Sequence, residues 1–256
     1  MKRGTVIGAV VLVGAIALVM AQRLGEPGAE QPVPAAGLVA QADRDPAAAG
    51  AAVPEAALAA AGEVRVYTVD PSATEIHWRI YRAGAAARLG HNHVISVGEL
   101  EGSVSLTSDL ADAEWELSFP VDGLIVDDSE IRARYGEGFE SVPSEDDKAG
   151  TRTNMLTDRV LNGAVFPQIR LVGTGVSGPL DDARLPVAIE MLGRESEQSF
   201  PAVIVVEADS LTVTGEHRLT HEDLGLTPFT AFGGIIMAVG DEIDFTYRIH
   251  AIAGGR

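Results

Sequence analysis

The sequence predicts an all-β domain over residues 64–256, an antiparallel β-barrel with short helical insertions. Three observations carry that prediction. Segment after segment alternates apolar and polar side chains with a period of two, the mark of a strand with one dry face and one wet face. Glycines and prolines fall between the segments: Gly84, Gly98, Gly123, Gly178, Gly193, Pro201 and Gly240. Eight or nine one-sided strands close either as a sandwich or as a barrel, and two amphipathic interruptions suit a barrel whose end needs a cover.

The chain begins with a targeting segment, residues 1–22. Lys2 and Arg3 precede an unbroken apolar or Gly run from Val6 to Ala21, and Val19-Met20-Ala21 offers a small-residue cleavage site. The run is long for a signal core and slightly short for a span of about 20 residues. A cleaved signal peptide and a signal anchor with its basic end left inside are both open. Either way the domain is expected in the periplasm or another extracytoplasmic space. It meets the membrane through the N-terminal segment if that segment is uncleaved. No cysteine follows to receive a lipid. Residues 23–63 are Ala/Pro-rich, with Pro27, Pro32, Pro34, Pro46 and Pro54 spaced through them. Such a composition buries little and reads as a disordered linker.

From Val64 the strands follow in order. Ile76, Trp78 and Ile80 share one face of the first clear one, with His77, Arg79 and Arg82 largely elsewhere. Strands are expected at Val94–Val97, Leu100–Thr107 and Ala113–Phe119, where Trp115, Leu117 and Phe119 alternate with Glu114, Glu116 and Ser118. A helix is expected over Asp128–Tyr135, capped by Asp128 or Ser129, and another over Thr151–Leu161 with Leu156, Val160 and Met155 as its candidate apolar stripe. Further strands fit Ile169–Val176, Leu185–Met191, Ala202–Glu207, the Leu211–Thr214 region and Ile243–His250.

Composition excludes several classes of function. A net charge of -18 leaves no basic surface for nucleic acid. The absence of cysteine removes disulfides, thiolate catalysis and Cys-based metal sites. No Gly-x-Ser-x-Gly elbow, phosphate loop or His-Glu-x-x-His occurs. Asp122, Asp127, Asp128 and Glu130 lack EF-hand spacing, and like Glu145, Asp146 and Asp147 they read as solvated acidic loops. Gly233 and Gly234 read as a tight bend.

Several stretches resemble a known family. Tyr67-Thr68-Val69-Asp70-Pro71-Ser72 followed by Ile76-His77-Trp78 is similar to the opening strands of the YceI-like, polyisoprenoid-binding family. Leu156-Thr157-Asp158-Arg159-Val160-Leu161-Asn162, then Phe166-Pro167-Gln168-Ile169-Arg170-Leu171, resembles its helix, Pro-containing turn and strand. Asp209–Gly215 and the strand around Phe245 fit as well. The resemblance implies a lipocalin-like barrel whose apolar interior holds an isoprenoid or similar amphiphilic lipid, with no cofactor required, in the cell envelope. Two departures mark a divergent member: Gly215-Glu216-His217-Arg218-Leu219-Thr220-His221, and Leu89-Gly90-His91-Asn92-His93.

Trp78, Trp115, Phe119, Phe245 and Tyr247 are the candidates for an inward-facing ligand cavity, although a face made of such residues is more often plain core. Arg132, Arg134, Arg152 and Arg159 lie in or beside the helical pieces, where they either meet an anionic head group or answer nearby carboxylates. His91, His93 and His217 fall on the apolar side of their strands if a strand starts near His91. They are candidate head-group contacts, with Arg159, and an alternative metal set, since His-x-His plus a third histidine suits zinc. Gly90 and Asn92 favour a turn there, and the structural role of a rim histidine is the commoner one. His91-Asn92-His93 is not a ββα-metal nuclease motif, because the hairpin and helix around it are missing. The expected function is therefore non-catalytic carriage of an amphiphilic lipid. The alternatives are a metal-dependent envelope enzyme using the His cluster, and a protein-binding barrel filled by its own side chains.

Overall fold

The computed structural model describes residues 63–85, 87–231 and 237–254. The targeting segment, almost all of the linker, and the Gly233–Gly234 bend lie outside the described residues. Among the described residues no helix is long and apolar enough to cross a membrane. The strands are β1 (Arg65–Val69), β2 (Glu75–Ala83), β3 (His93–Val97), β4 (Glu101–Leu106), β5 (Glu114–Pro120), β6 (Leu124–Val126), β7 (Gln168–Thr174), β8 (Ala183–Met191), β9 (Arg194–Val206), β10 (Ser210–Thr220), β11 (Thr230–Ala231) and β12 (Met237–Ala253). Two α-helices interrupt them, α1 (Ser129–Arg132) and α2 (Glu145–Leu156).

Eight strands close a ring in the order β1-β4-β5-β7-β8-β9-β10-β12, with β12 returning to β1. Every pairing in it is antiparallel, and β12 closes the ring on β1. The expected lipocalin-like barrel with short helical insertions is the observed fold.

The 17-residue β12 is the seam. One side pairs with β10 from Ser210↔Ile252 to Thr220↔Glu242. The other side pairs with β1 at Tyr67↔Ala253 and with β2 at Phe245↔Trp78. β1 and β2 are thus two stretches of one edge, separated by a turn in which Asp70 Oδ1 accepts the Ser72 N–H and Oγ–H at 2.9 and 2.6 Å. From β2 the sheet continues outside the ring through β3 to β6.

Alternation does what the sequence promised. In β5 Leu117 and Phe119 are buried while Glu114 and Glu116 are exposed. In β8 Ala183, Val187, Ile189 and Met191 point into one continuous core. The predicted break at Pro201 is corrected: β9 runs through it, and the stretch from Arg194 to Phe200 is strand. The N and C=O of a strand residue face the same neighbour, and the Pro201 carbonyl faces Tyr247 on the β10–β12 side. On that side β9 pairs with β10 only from Val203 onward, so the missing N–H interrupts no ladder. Gly240 likewise lies inside β12, at an irregularity in its pairing with β2.

The helices shift from their expected places. α1 is only four residues long, with Asp128 as its cap. α2 starts earlier than Thr151 because Ser144 and Asp147 form a reciprocal capping box. Glu145, Asp146 and Asp147 are therefore the first turn of a helix rather than a loop, where carboxylates suit the positive end of the backbone dipole.

Candidate functional site

The inward faces of the ring enclose a cavity of about 200 Å³. Trp78, Trp115, Phe119, Phe245 and Tyr247 all line it. Trp78 and Phe245, opposite each other on β2 and β12, stack with ring centroids 5.8 Å apart. At one end, where the β9–β10 hairpin turns, the lining is Leu106, Leu110, Val176, Val206 and Leu211. The other is covered by Met155 of α2, by Val160 and Leu161 beyond it, and by Leu224, Leu226 and His221 after β10.

Two glycines give the aromatic walls their room. A Cβ on Gly173 of β7 would overlap the Trp115 indole, and one on Gly215 of β10 would overlap the Tyr247 phenol. Cross-strand pairs of large and absent side chains thus hold these rings against the wall and keep the centre open. The Tyr247 hydroxyl donates to the Pro201 carbonyl, and burial raises its pKa further above the ordinary phenol range.

Above Pro201, β9 and β10 part. Their pairing spans only Val203–Val206 against Leu211–Thr214, although both strands run on toward the helical end. Across this gap Phe200, a cavity-lining residue, packs against His217 with ring centroids 4.7 Å apart. Burial lowers the pKa of His217, with Arg184 adding to the effect and Asp223 opposing it. His217 thus shares the barrel's inner side, as its strand position predicts.

His91 and His93 stand elsewhere. Asn92 accepts the Arg82 N–H at 3.0 Å, and the strand begins only at His93. His91 Nδ1 is 3.1 Å from Ser141 Oγ. His93 Nδ1 is 2.6 Å from Asp127 Oδ2. Asp127 is corrected from solvated loop to buried anchor: only 1% exposed, it also accepts from Val94 N–H at 2.9 Å and Arg132 Nη1 at 2.7 Å. Burial opposes its ionisation, but the His93 and Val94 hydrogen bonds and the Arg132 charge outweigh that and hold its pKa low. Among the described residues no three His, Asp or Glu side chains converge to hold a metal ion, so the set His91, His93 and His217 is not brought together.

The four arginines divide. Arg132 pairs with Asp127 and Arg134 with Glu75. Arg152 donates to the Asp122 carbonyl. Arg159 meets no carboxylate among the described residues: it donates to the Thr230 carbonyl at 2.7 Å, and its guanidinium lies over the Phe229 ring, 4.7 Å from the centroid. It ties the turn after α2 to the segment leading into β11.

Outside the barrel, the wet face of β2 carries a second polar layer. His77, 2% exposed, sits 2.5 Å from the Tyr135 hydroxyl through Nε2. Its Nδ1 is 3.1 Å from Glu75 Oε1, off the direction of a hydrogen bond. Arg79 packs over the Tyr135 ring and pairs with Asp244, which also accepts from Tyr81 and Arg218. Burial, then the Asp244 hydrogen bond, pushes the Tyr81 phenol up to about 12.

Sequence reasoning missed Phe200, hidden by treating Pro201 as a breaker, and the cover residues Leu224 and Leu226, whereas Met155 belongs to the helical stripe that it read as part of a lid or base. It placed His221 just beyond the inner-facing histidines at a barrel end and gave it no role, although the period of two through Leu219 continues to it.

No family model matches the chain, and no curated protein matches it by sequence. Among solved structures, BcnA of Burkholderia cenocepacia aligns with a TM-score of 0.50 at 9% identity, over 71% of this chain and 98% of that one. A YceI protein of Campylobacter jejuni aligns with a TM-score of 0.45 at 8% identity, over 63% and 85%. At such identities the likeness is one of fold. The chain has a lipocalin-type antiparallel barrel fold, and it shares that barrel architecture with BcnA.

Proposed function

We propose that the barrel binds and carries the apolar chain of an isoprenoid or other amphiphilic lipid in the cell envelope, without catalysing a reaction on it. The observation that carries this reading is the cavity of about 200 Å³ lined almost wholly by apolar side chains inside a closed ring. Apolar cavities of this order stay dry and accept apolar guests. Each methylene moved from water into such a site contributes about 0.8 kcal/mol, so a long tail binds by area alone. A filled, protein-binding barrel is less consistent with that space.

The absence of catalysis is supported by the lining itself. Its titratable side chains are His221 and Tyr247, and the Tyr247 hydroxyl is engaged by Pro201. Acyl or phosphoryl transfer needs a nucleophile with an opposed acid or base, which a single imidazole does not provide. The N-terminal apolar run supports an extracytoplasmic location, with the domain on a tether if the run stays in the membrane.

Native mass spectrometry of gently purified protein tests the reading. A bound species of lipid mass, lost on delipidation and regained on adding a long-chain amphiphile, is the expected result. Protein that is folded, carries no lipid and takes up none on titration would overturn it.

A further inference from the structure

His221 stands out in the lining as an imidazole in an otherwise oily wall. It is 5% exposed and sits at the helical end, beside Leu224 and Leu226. Its Nδ1 lies 2.8 Å from the backbone carbonyl of Asp241, which also accepts the His221 backbone N–H at 3.0 Å. A carbonyl only accepts, so Nδ1 carries the hydrogen and Nε2 is left with a lone pair. The Asp241 carboxylate stays back, 4.0 Å from Nδ1. Nε2 has no hydrogen-bond partner among the described residues, yet it is not sealed off. His221 lines the cavity, and only 5% of it remains exposed.

We propose that His221 Nε2 is the polar recognition point of the cavity and selects an amphiphile ending in a neutral hydroxyl, a long-chain alcohol. The inference rests on the lipid-carrier reading and adds the chemistry of the head. A fixed acceptor calls for a donor on the ligand. A carboxylate or phosphate offers only acceptors at neutral pH. An ammonium group would bring a charge against an apolar wall with no carboxylate to meet it. A hydroxyl donates once to Nε2 and leaves nothing ionised in the barrel.

The test compares dodecanol, dodecyl methyl ether and dodecane as competitors for a fluorescent apolar probe in the delipidated protein. The ether keeps the oxygen and loses the donor. Dodecanol is expected to bind about fivefold or more tighter than the ether, the yield of one neutral hydrogen bond. That preference is expected to vanish in His221→Leu while ether and dodecane binding hold, and to return in part in His221→Gln, whose side-chain carbonyl accepts. In the wild-type protein the Nε2 nitrogen resonance should shift with dodecanol and stay still with the ether, a readout independent of any variant. Equal binding of alcohol and ether, or an unmoved Nε2 resonance, overturns the role of His221 and leaves the carrier reading standing. Failure of all three to bind overturns the carrier reading, and this inference with it.

Discussion

The indole of Trp115 fills the space that any side chain at Gly173 would need. The two face each other across β5 and β7, and the Pro186 carbonyl closes the same spot from behind. A methyl group there has to push the ring inward. We expect Gly173→Ala to cost about 1–3 kcal/mol, read from the denaturant midpoint, and to weaken binding of apolar ligands as the ring enters the cavity. Adding Trp115→Phe should recover part of both losses. An unchanged midpoint would show that the wall yields instead.

Arg132 is expected to matter more to stability than any exposed ion pair. Its guanidinium joins Asp127 Oδ1, the Asn92 carbonyl and the Ser141 carbonyl, all within 2.9 Å. Arg132→Met leaves a buried carboxylate short of its cation, a loss of about 3–5 kcal/mol. Urea unfolding measures it. Because the folded-state pKa of Asp127 is lowered, its stabilisation is present above the unfolded value of 3.8 and is lost as pH falls through the folded value. The variant should show a weaker acid dependence in that range.

His77 predicts a second, milder loss of stability on acidification. Burial lowers its pKa, and Arg134 and Arg79 push the same way against the pull of Glu75. The unfolded chain then takes up a proton at higher pH than the folded one. Stability is full above the unfolded value of 6.5 and declines as pH drops below it toward the folded value. Unfolding midpoints at about pH 7 and pH 5 should differ, and His77→Phe should narrow the difference. Equal slopes for the two proteins would remove His77 as the cause.

Arg159 holds the cover rather than the core. Cutting its link between the turn after α2 and Thr230 should change stability by no more than about 0.5 kcal/mol, as for most exposed positions. Ligand release in Arg159→Ala, followed by stopped-flow displacement, should be several-fold faster. A release rate equal to wild type would place the route elsewhere, with the Phe200–His217 gap as the next to probe.

Local patterns made the walls legible and left the long-range polar contacts dark. Trp115, Leu117 and Phe119 are readable because alternation with Glu114 and Glu116 is a property of adjacent residues. Asp127 is unreadable in the same way: it looks like one acid among several, and only the approach of Val94, His93 and Arg132 makes it buried. Its φ of 52° is a further cost that those contacts sustain. Pro201 misled for a related reason. A proline breaks a strand only where a neighbour needs its N–H, and the splitting of β9 from β10 is a fact of tertiary structure. The histidines show both sides. His217 kept its predicted face because its strand is regular, whereas His91 lost it to a turn that Gly90 and Asn92 already announced.

Tyr67 pairs with Ala253, nearly the full span of the domain apart. A ribosome delivers β1 before β12, so the hoop stays open until the seam strand has emerged. Through that interval β1 has β4, β2 has β3 and β10 has β9, but each still lacks its pairing with the seam strand. Assembly is therefore dominated by contacts distant in sequence, which makes it slow for a domain of this size. A stop codon before residue 237 removes every pairing of β12 and leaves a sheet whose oily side has nothing to close over.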